Sequence, residues 1–260
     1  QGLVENVQIL SSNLVSNGDF SQEGSELVTN GSFVTDTDWT KQSSWTISGG
    51  SANYDFLSDS KYIRQTLLNG GFVAGKTYKI NFEITSGTAY MNVNSNGGGL
   101  ISLSTYSVGS YSIYVTPSIS ASDLLFYGRN TSGTAFSITN ISVKEVGQDW
   151  SLGTGWSIGD NKAISDGSGF GALSSSYSNF NSKKLKVNFD ILNYVSGEIR
   201  VPPSYRQDGL DIRYSANGSY ELIYDSINSA FALNTVNFNG SVTNISVLEI
   251  TDDTNLPRIN

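Results

Sequence analysis

Apolar and polar residues alternate along most of this chain, and the alternation predicts β-strands. In YKINFEI, at 78–84, every second side chain from Tyr78 to Ile84 is apolar and the side chains between them are polar. LKVNFDI, at 185–191, alternates in the same way. A period of two is typical of a strand with one buried and one solvated face, as in an antiparallel sheet. No stretch of the sequence has a convincing helical period, so we expect an all-β protein.

Four blocks of the sequence occur twice, in the same order, at a spacing of 104 to 111 residues. DWTKQSSWTISGGSANYD (38–55) returns as DWSLGTGWSIGDNKAISD (149–166), YKINFEI (78–84) as LKVNFDI (185–191), YSVGSY (106–111) as YSANGSY (214–220), and SITNISVKEV (137–146) as SVTNISVLEI (241–250). Biased composition does not produce a collinear recurrence of this kind. The sequence therefore indicates two tandem copies of one domain.

A shorter duplication lies near the start, where NLVSNGDF (13–20) is followed by ELVTNGSF (26–33). We interpret it as a duplicated first strand of copy one. Copy two is expected to have no such lead, because KEVGQDW passes straight from the end of copy one into the second tryptophan block. The predicted boundaries are a lead segment at 1–25, repeat 1 at 26–146, repeat 2 at 147–250 and a junction tail at 251–260.

Each copy is predicted to be an antiparallel β-sandwich of the jelly-roll kind, because about 110 residues of short alternating strands suit that architecture. Six Asn-Gly pairs supply the positive-φ turns that hairpins need. The closing strand keeps its apolar face only if one residue is skipped near Thr139 and Asn140, which predicts a β-bulge. The tryptophans recur at matching places in both copies, and we expect them in the cores rather than on a ligand platform. They are Trp39, Trp45, Trp150 and Trp156.

The composition removes several classes of function. The 260 residues include no cysteine and no histidine, which excludes disulfides, thiolate or imidazole metal ligands and nucleophile–histidine relays. A net charge of -8 is opposite in sign to a phosphate-binding surface, so nucleic acid is not expected as a partner. No apolar run approaches the roughly 20 residues that cross a bilayer, so membrane insertion is not expected either. A chain that begins at Gln1 and has one methionine, Met91, is expected to be a piece of a longer protein or a processed product.

Nothing in the sequence singles out a catalytic site. Carboxylates can act without histidine or cysteine, and glycosidases need only two of them, but no spacing of the acidic residues in copy two marks a pair. DGSGFG (166–171) has the glycine content of a nucleotide-binding loop, yet no predicted helix follows it to present amides to a phosphate. We therefore expect a surface hairpin or loop there, and no enzyme activity.

The polar side of the predicted strands in copy one offers a carbohydrate-binding surface. In AYMNVN, Tyr90 shares the solvated face with two asparagines. An exposed tyrosine flanked by amides suits a sugar ring, which stacks its apolar face on the aromatic ring and bonds its hydroxyls to the amides. The candidate residues, all at positions predicted to lie on the polar side of their strands, are Tyr90, Asn92, Asn94, Tyr114, Tyr127 and Arg129. The alternative is that these are ordinary surface tyrosines or contacts with a neighbouring subunit.

Copy two differs at this surface. Aligning Val93 with Val201 places Glu198 and Arg200 where Tyr90 and the first asparagine stand in copy one. Charged side chains replace the aromatic platform, so copy one is the better candidate for a neutral glycan.

Calcium is the one metal that this composition permits, through oxygen ligands. Glutamates stand on the inward parity of the last strand in each copy, where a lone carboxylate is unfavourable. Aspartates stand near the start of each copy, and first and last strands often approach each other in a jelly roll. The candidate pairs are Asp38 with Glu145 and Asp149 with Glu249. Strand-end charges that reach solvent explain the same residues without a metal, and both interpretations stay open.

The linked phrases LVTNGSF, DTDWT, GKTYKINFEI and NISVKEV resemble a known repeat family. They are similar to the jelly-roll, galactose-binding or carbohydrate-binding-module-like repeats of virion and tail proteins of marine and gut bacteriophages, and TDDTNLPRIN looks like the junction segment that follows such repeats. The resemblance covers roughly residues 13 to 260. Related modules often have a calcium-linked glutamate after the phenylalanine of the Asn-Gly phrase. Here Ser21 and Val34 stand at that place.

The resemblance implies a non-enzymatic module on a fibre, tail or capsid, and hence a location on the virion surface or outside cells. Its implied partners are cell-surface polysaccharide and copies of itself or other virion subunits. We expect weak, multivalent contacts with glycans. One alternative is a purely architectural spacer or assembly protein of a particle or extracellular filament. Another is an accessory carbohydrate-binding module of a larger polysaccharide-degrading enzyme.

Overall fold

The computed structural model describes residues 9–251, and antiparallel β-strands make up nearly all of its regular structure. These strands are β1 (Ile9–Leu10), β2 (Thr40–Lys41), β3 (Trp45–Ser48), β4 (Ser51–Tyr54), β5 (Lys61–Thr66), β6 (Thr77–Ser86), β7 (Ala89–Ser95), β8 (Gly98–Tyr106), β9 (Gly109–Val115), β10 (Asp123–Gly128), β11 (Phe136–Val146), β12 (Trp150–Leu152), β13 (Trp156–Gly159), β14 (Lys162–Asp166), β15 (Ala172–Ser175), β16 (Lys184–Val201), β17 (Ile212–Tyr214), β18 (Gly218–Asp225) and β19 (Ala232–Thr251). Short 3₁₀ turns occur at Leu68–Gly70 and Pro203–Tyr205. No helix in this part of the chain is long and apolar enough to span a membrane. The prediction of an all-β, antiparallel protein is confirmed.

The chain divides into two compact units. Domain 1 is the uninterrupted segment Glu23–Val146, which contains β2 to β11. Domain 2 combines the segment that starts at Gly147 with the one that ends at Gln22, so it contains β1 together with β12 to β19. In sequence, domain 1 is inserted between the first strand of domain 2 and the rest of that domain. Parts of the predicted lead and tail, at 1–8 and 252–260, lie outside the described residues.

Domain 1 is a sandwich of two five-stranded sheets. Sheet A has the strand order β2-β5-β10-β7-β8, and sheet B has the order β3-β4-β11-β6-β9. Strands β4 to β7 alternate between the sheets, and so do β8 to β11, which is the connection expected of a jelly roll. The sheets meet in one core, where Phe82 of sheet B and Phe126 of sheet A have ring centroids 5.9 Å apart. Trp39 and Trp45 are buried in the same core, as predicted.

Domain 2 uses longer strands for the same plan. Its β16, of 18 residues, pairs with β18 through Lys184–Ile191 and with β17 through Ile199–Val201. In domain 2, β16 therefore corresponds to both β6 and β7 of domain 1. Likewise β19, of 20 residues, corresponds to both β10 and β11. Because these strands are continuous, the strands of the domain join into one nine-stranded sheet. Trp150 and Trp156 are buried, as predicted.

Each domain has its own asparagine-glycine lead, which corrects the expectation that copy two lacks one. In domain 1, the Leu27 amide donates to the Val143 carbonyl of the closing strand at 2.9 Å. In domain 2, the Leu14 amide donates to the Val247 carbonyl at 2.8 Å. The phrase NLVSNGDF thus belongs to copy two although it precedes the whole of copy one. The two phrases are the first segments of two domains, not a doubled first strand of one.

The lead phrases need their glycines because they run against the closing strands. A Cβ atom at Gly31 would lie 1.9 Å from the carbonyl oxygen of Ile141, and one at Gly18 would lie 1.9 Å from that of Ile245. In each case the isoleucine amide donates to the glycine carbonyl at 2.9 Å. A side chain at either glycine would push the lead off the strand that it pairs with.

Each lead phrase also binds the first tryptophan of its own domain. The Trp39 indole Nε1 donates to the Asn30 carbonyl at 3.2 Å, and the Trp150 Nε1 donates to the Asn17 carbonyl at 3.0 Å. The phenylalanine that ends the phrase packs on the same indole, with ring centroids 5.2 Å apart in domain 1 and 5.4 Å in domain 2. The repeated combination of an Asn-Gly phrase and a tryptophan is therefore a packing unit.

The predicted irregularity of the closing strand is present. The pairing of β11 with β6 shifts register between Thr139 and Ser142, and Asn140 has a φ of 51°. Asn244, its counterpart in domain 2, has a φ of 54°. Asparagine tolerates this left-handed conformation better than most residues. The DGSGFG segment forms the expected loop between β14 and β15.

Candidate functional site

The outer face of sheet A in domain 1 carries most of the predicted binding residues. The core-facing side chains of β7, from Ala89 to Val93, are fully buried. Tyr90, Asn92 and Asn94 lie on the opposite side of the strand and are half-buried. Alternation along one strand thus separates a packing face from a face that a ligand can reach.

Tyr127 lies beside these residues on β10. It is the cross-strand neighbour of Asn92 on β7 and of Tyr62 on β5. The Tyr62 and Tyr127 rings are 5.3 Å apart between centroids, in an edge-to-face arrangement. Tyr62 is absent from the residues predicted above, because the buried side chains on either side of Arg64 are Ile63 and the polar Gln65, so KYIRQT shows no regular apolar alternation.

An open cavity of about 310 Å³ lies on this face. Asn92, Asn94 and Arg129 line one side, and residues 99–103 of β8 line the other. The lining combines amides, a guanidinium and aliphatic side chains, including Leu103, which is 38% exposed. The cavity can therefore take a ligand that has both hydroxyl groups and apolar carbon atoms.

Arg129 is fixed at one end of this face. Its amide donates to the Tyr90 carbonyl at 2.9 Å, and its Nε donates to Oδ1 of Asp59 at 3.0 Å. The Asn130 amide donates to the same carboxylate oxygen at 3.1 Å. Desolvation alone would raise the pKa of Asp59, but the hydrogen bonds from Arg129 and Asn130 outweigh it and the pKa is lowered. Asp59 therefore stays ionised at neutral pH and orients Arg129.

The two asparagines of β7 orient each other in the cavity. Nδ2 of Asn92 donates to Oδ1 of Asn94 at 2.9 Å. Oδ1 of Asn92 is shielded from solvent and has no hydrogen-bond partner among the described residues. An unpaired buried acceptor costs free energy, which a donor hydroxyl group in the cavity would recover.

Tyr114 does not join the other candidates, and the predicted grouping is corrected here. It lies on β9 in sheet B, as the cross-strand neighbour of Lys79 on β6. Parity along the sequence cannot reveal this, because successive strands of a jelly roll lie in opposite sheets. The structure brings together Tyr90, Asn92 and Tyr127, with Arg129 at their edge, and leaves Tyr114 on the other side of the sandwich.

The equivalent face of domain 2 is charged. Arg200 on β16 is the cross-strand neighbour of Arg213 on β17 and of Asn234 on β19. Arg213 donates to the Asp211 carboxylate at 2.7 Å and also pairs with Glu198. Nη1 of Arg200 lies 3.5 Å from the same Asp211 oxygen. Asn234 stands at the position of Tyr127, so the tyrosine pair of domain 1 has no counterpart here.

The glutamates proposed as calcium ligands each pair with a lysine. Glu145 lies 2.9 Å from Nζ of Lys76, and Glu249 pairs with Lys183 at the matching position of domain 2. All four side chains are partly exposed, so the pairs reach solvent at the strand ends. A lysine partner accounts for a carboxylate on the inward-facing side of the last strand without requiring a metal ion.

The proposed aspartate ligands occupy tight turns before the tryptophans. Asp38 has a φ of 69° and Asp149 has a φ of 72°. Oδ2 of Asp38 accepts a hydrogen bond from the Thr37 hydroxyl at 2.8 Å. Within residues 9–251, no group of three or more acidic side chains is arranged to hold a metal ion.

Comparisons with known proteins give only distant matches. No family model matches the sequence, and no curated protein matches it. A structure of tandem family 22 carbohydrate-binding modules from Paenibacillus barcinonensis is 11% identical, covering 89% of this chain and 99% of that one, with a TM-score of 0.36. Tandem family 51 carbohydrate-binding modules of a Streptococcus pneumoniae glycoside hydrolase are 8% identical, covering 94% and 100%, with a TM-score of 0.28. Saccharomyces cerevisiae allantoicase is 10% identical, covering 95% and 94%, with a TM-score of 0.29. TM-scores of this size do not establish a shared fold, so the fold assignment rests on the strand pairing.

Proposed function

We propose that this chain is a non-enzymatic carbohydrate-binding module whose first domain binds neutral saccharides on the outer face of sheet A. The observation that carries the proposal is the row of Tyr62, Tyr127 and Asn92 across three adjacent strands, beside a cavity lined by amides. Aromatic rings stack on the apolar faces of sugars, and amides bond with their hydroxyls. A sheet face holds these side chains in a fixed arrangement, which lowers the entropy cost of binding.

A binding role is supported over an enzymatic one by the state of the carboxylates. In domain 2, Asp208 pairs with Arg206, and this hydrogen bond lowers the pKa of Asp208. Asp211 and Glu198 pair with arginines as well, and Glu221 pairs with Lys186. A general acid needs a raised pKa at neutral pH, the reverse of the shift at Asp208.

We place this module on a virion surface or another extracellular particle, where its partners are cell-surface polysaccharide and neighbouring subunits. An open face with one small cavity favours weak binding at each site. Display of many copies would compensate, because the second and later contacts of one particle are intramolecular.

The proposal is tested by affinity electrophoresis of the whole chain in gels that contain xylan, mannan, galactan or β-glucan. Retardation is expected with at least one polysaccharide, and Tyr127→Ala should weaken it by about tenfold, the effect of losing about 1.4 kcal/mol of stacking. Tyr114→Ala is the matched control. It removes a tyrosine of the same domain from the opposite sheet and should leave retardation unchanged.

Loss of retardation in both variants would contradict the assignment to sheet A. No retardation with any polysaccharide, for chains free or clustered on beads, would contradict saccharide binding and favour the architectural alternative. Assembly that depends on concentration would then be the expected behaviour. The accessory-module alternative predicts a catalytic domain in the same polypeptide, which sequencing of the parent gene would reveal.

Calcium binding remains a secondary proposal for Asp38 with Glu145 and Asp149 with Glu249. The turns at the aspartates and the strand ends at the glutamates are its support. A melting temperature that rises in excess calcium and falls in EDTA is the expected result. An identical melting temperature in both would remove the proposal.

A further inference from the structure

The glycine-rich loop between β14 and β15 presents an exposed phenylalanine from an anchored backbone. Phe170 is 72% exposed. The Gly171 amide donates to the hydroxyl of the buried Thr235 at 2.7 Å, and the Thr235 amide donates to the Gly171 carbonyl at 2.8 Å. The Asn237 amide donates to the Gly169 carbonyl at 2.9 Å. Bonds on both sides of Phe170 therefore fix its position on the surface.

These bonds place the Phe170 ring on the outer face of domain 2. They continue the pairing of β15 with β19, in which Ala172 stands opposite Asn234. Extending that register by two residues puts Phe170 opposite Val236, on the face that Asn234 shares. Val236 is in turn the cross-strand neighbour of Glu198 on β16. Phe170, Val236 and Glu198 thus form a row across the sheet.

A cavity of about 560 Å³ adjoins this row. Its lining includes Tyr194, Ser196, Glu198, Ser215, Val236 and Asn237. A carboxylate, hydroxyls and an amide therefore stand beside the apolar surface of Val236 and the Phe170 ring. Such a mixture suits a ring-shaped ligand with an apolar face and hydroxyl groups around its edge.

The neighbouring row of the same face has unused hydrogen-bonding capacity. Nε of Arg200, Oδ1 of Asp211 and Oδ1 of Asn234 are shielded from solvent and have no hydrogen-bond partner among the described residues. One of these atoms is a donor and two are acceptors. Because each hydroxyl can donate and accept, a pair of adjacent hydroxyls matches this set better than an anion or a cation.

We infer that the outer face of domain 2 is a second saccharide-binding site, in which Phe170 stacks on a sugar ring and Glu198 and Asn237 bond with its hydroxyls. The inference shares the ligand class of the proposed function and rests on other residues in the other domain. The Glu198 carboxylate pairs with Arg213, and Asp211 lies beside Arg200 and Arg213, so the two acidic and two basic groups of this face balance and favour a neutral ligand. A wholly apolar partner is disfavoured because it would desolvate the carboxylate without replacing its hydrogen bonds.

The test is an NMR titration of the whole chain with phenylalanine rings labelled in ¹³C. The signal of Phe170 is identified by its absence in Phe170→Ala. Oligosaccharides of xylan, mannan, galactan and β-glucan are added one at a time. The Phe170 signal is expected to shift with at least one of them, and the affinity read from backbone amides of domain 2 should fall about tenfold in Phe170→Ala.

Ile227→Ala is the matched control, because Ile227 is an exposed apolar residue of domain 2, at 51%, that lies outside the row. It should leave the affinity unchanged. Shifts in domain 1 without any shift of Phe170 would overturn this inference and leave the proposed function standing. Unshifted spectra in both domains would overturn both. An equal loss in the Ile227 variant would show that the ring has no specific role.

Discussion

The two domains keep the same packing unit and differ on the same outer face. In both, an Asn-Gly phrase pairs with the closing strand and binds the first tryptophan. On the outer face, Tyr127 stands between Tyr62 and Asn92 in domain 1, whereas Asn234 stands between Ala172 and Arg200 in domain 2. A substitution in a core costs several times more stability than one on a solvated face, so duplicated domains diverge first where a ligand can bind.

The cores of the two domains also differ, through substitutions at two positions that change together. Tyr54 of domain 1 is buried opposite Trp45, and a Cβ atom at Gly128 would lie 2.7 Å from its ring. In domain 2, Ser165 takes the place of the tyrosine and Thr235 that of the glycine. A large residue with a glycine is exchanged for two small residues. The glycine makes room for the Tyr54 ring, and it is not needed where a serine replaces the tyrosine.

The largest expected effect on stability comes from removing the first segment, and it tests which domain contains that segment. Deletion of residues 1–22 should unfold domain 2 and leave domain 1 folded, because the deletion removes Val15 and Phe20, which are 4% and 2% exposed, from the core of domain 2. Each buried side chain of this size contributes about 2 kcal/mol. The indole NMR signals of Trp39 and Trp150 report the two domains separately. A native Trp150 signal after the deletion would contradict the division of the chain.

A smaller loss of stability is expected when single glycines of the lead phrases are replaced by alanine. Gly18→Ala should destabilise domain 2 and Gly31→Ala should destabilise domain 1, each by more than about 2 kcal/mol, since the new methyl group would overlap a carbonyl oxygen of the closing strand. Thermal unfolding followed by the indole signals of each domain measures both. Gly99→Ala is the control, because Gly99 has no left-handed φ and the new methyl group would meet only Oδ1 of Asn94, at 3.7 Å. Destabilisation of domain 1 by Gly18→Ala would contradict the pairing.

The buried tyrosines predict a loss of stability at high pH. Desolvation raises the pKa of Tyr54 to about 12, above the usual value of about 10 in the unfolded chain. The neutral phenol is therefore favoured by folding, so its contribution is complete below pH 10 and is lost as the pH rises towards 12. Domain 2 has a similar group in Tyr224, whose pKa is also raised by burial.

Tyr54→Phe should reduce this pH dependence in domain 1 only, and Tyr224→Phe should reduce it in domain 2 only, because burial also raises the pKa of Tyr78 and Tyr106 in domain 1 and of Tyr214 in domain 2. Urea unfolding at pH 8 and at pH 11, with the indole signals as domain-specific probes, measures the change. An undiminished pH dependence in domain 1 after Tyr54→Phe would assign the effect to the other tyrosines.

The smallest expected effect concerns the lysine–glutamate pairs at the strand ends. Lys76→Met and Lys183→Met should each cost less than about 1 kcal/mol, because both pairs are partly exposed. Chemical unfolding of each variant measures the difference. A cost of several kcal/mol at either site would show that the glutamate becomes an uncompensated buried charge.

Much of the fold was accessible from the sequence because its signals are local. The period of two in YKINFEI predicted a strand with one buried face, and Ile80 and Phe82 are buried as expected. The bulge at Asn140 was predicted from a single skipped residue in the apolar pattern. The repetition of whole blocks predicted two domains, since similar sequences fold alike.

The candidate site was accessible only in part. Parity along β7 placed Tyr90 and Asn92 on one face correctly, because alternation is a property of a single strand. It misplaced Tyr114, since parity does not say to which sheet a strand belongs. Tyr62 and Phe170 were missed because their roles come from neighbours that are distant in sequence, Tyr127 and Val236.

The sequence by itself determined the strands, their buried faces and the existence of two copies, because side-chain alternation and repetition need no knowledge of distant contacts. Only the tertiary structure decided to which copy each lead phrase belongs and which strands lie in the same sheet. The two phrases share five of their eight residues and have the same pattern, so local preference cannot tell them apart. Connectivity decides: a lead can pair with a closing strand more than two hundred residues away, as Leu14 does with Val247, and long-range hydrogen bonds of this kind leave no mark on the sequence nearby.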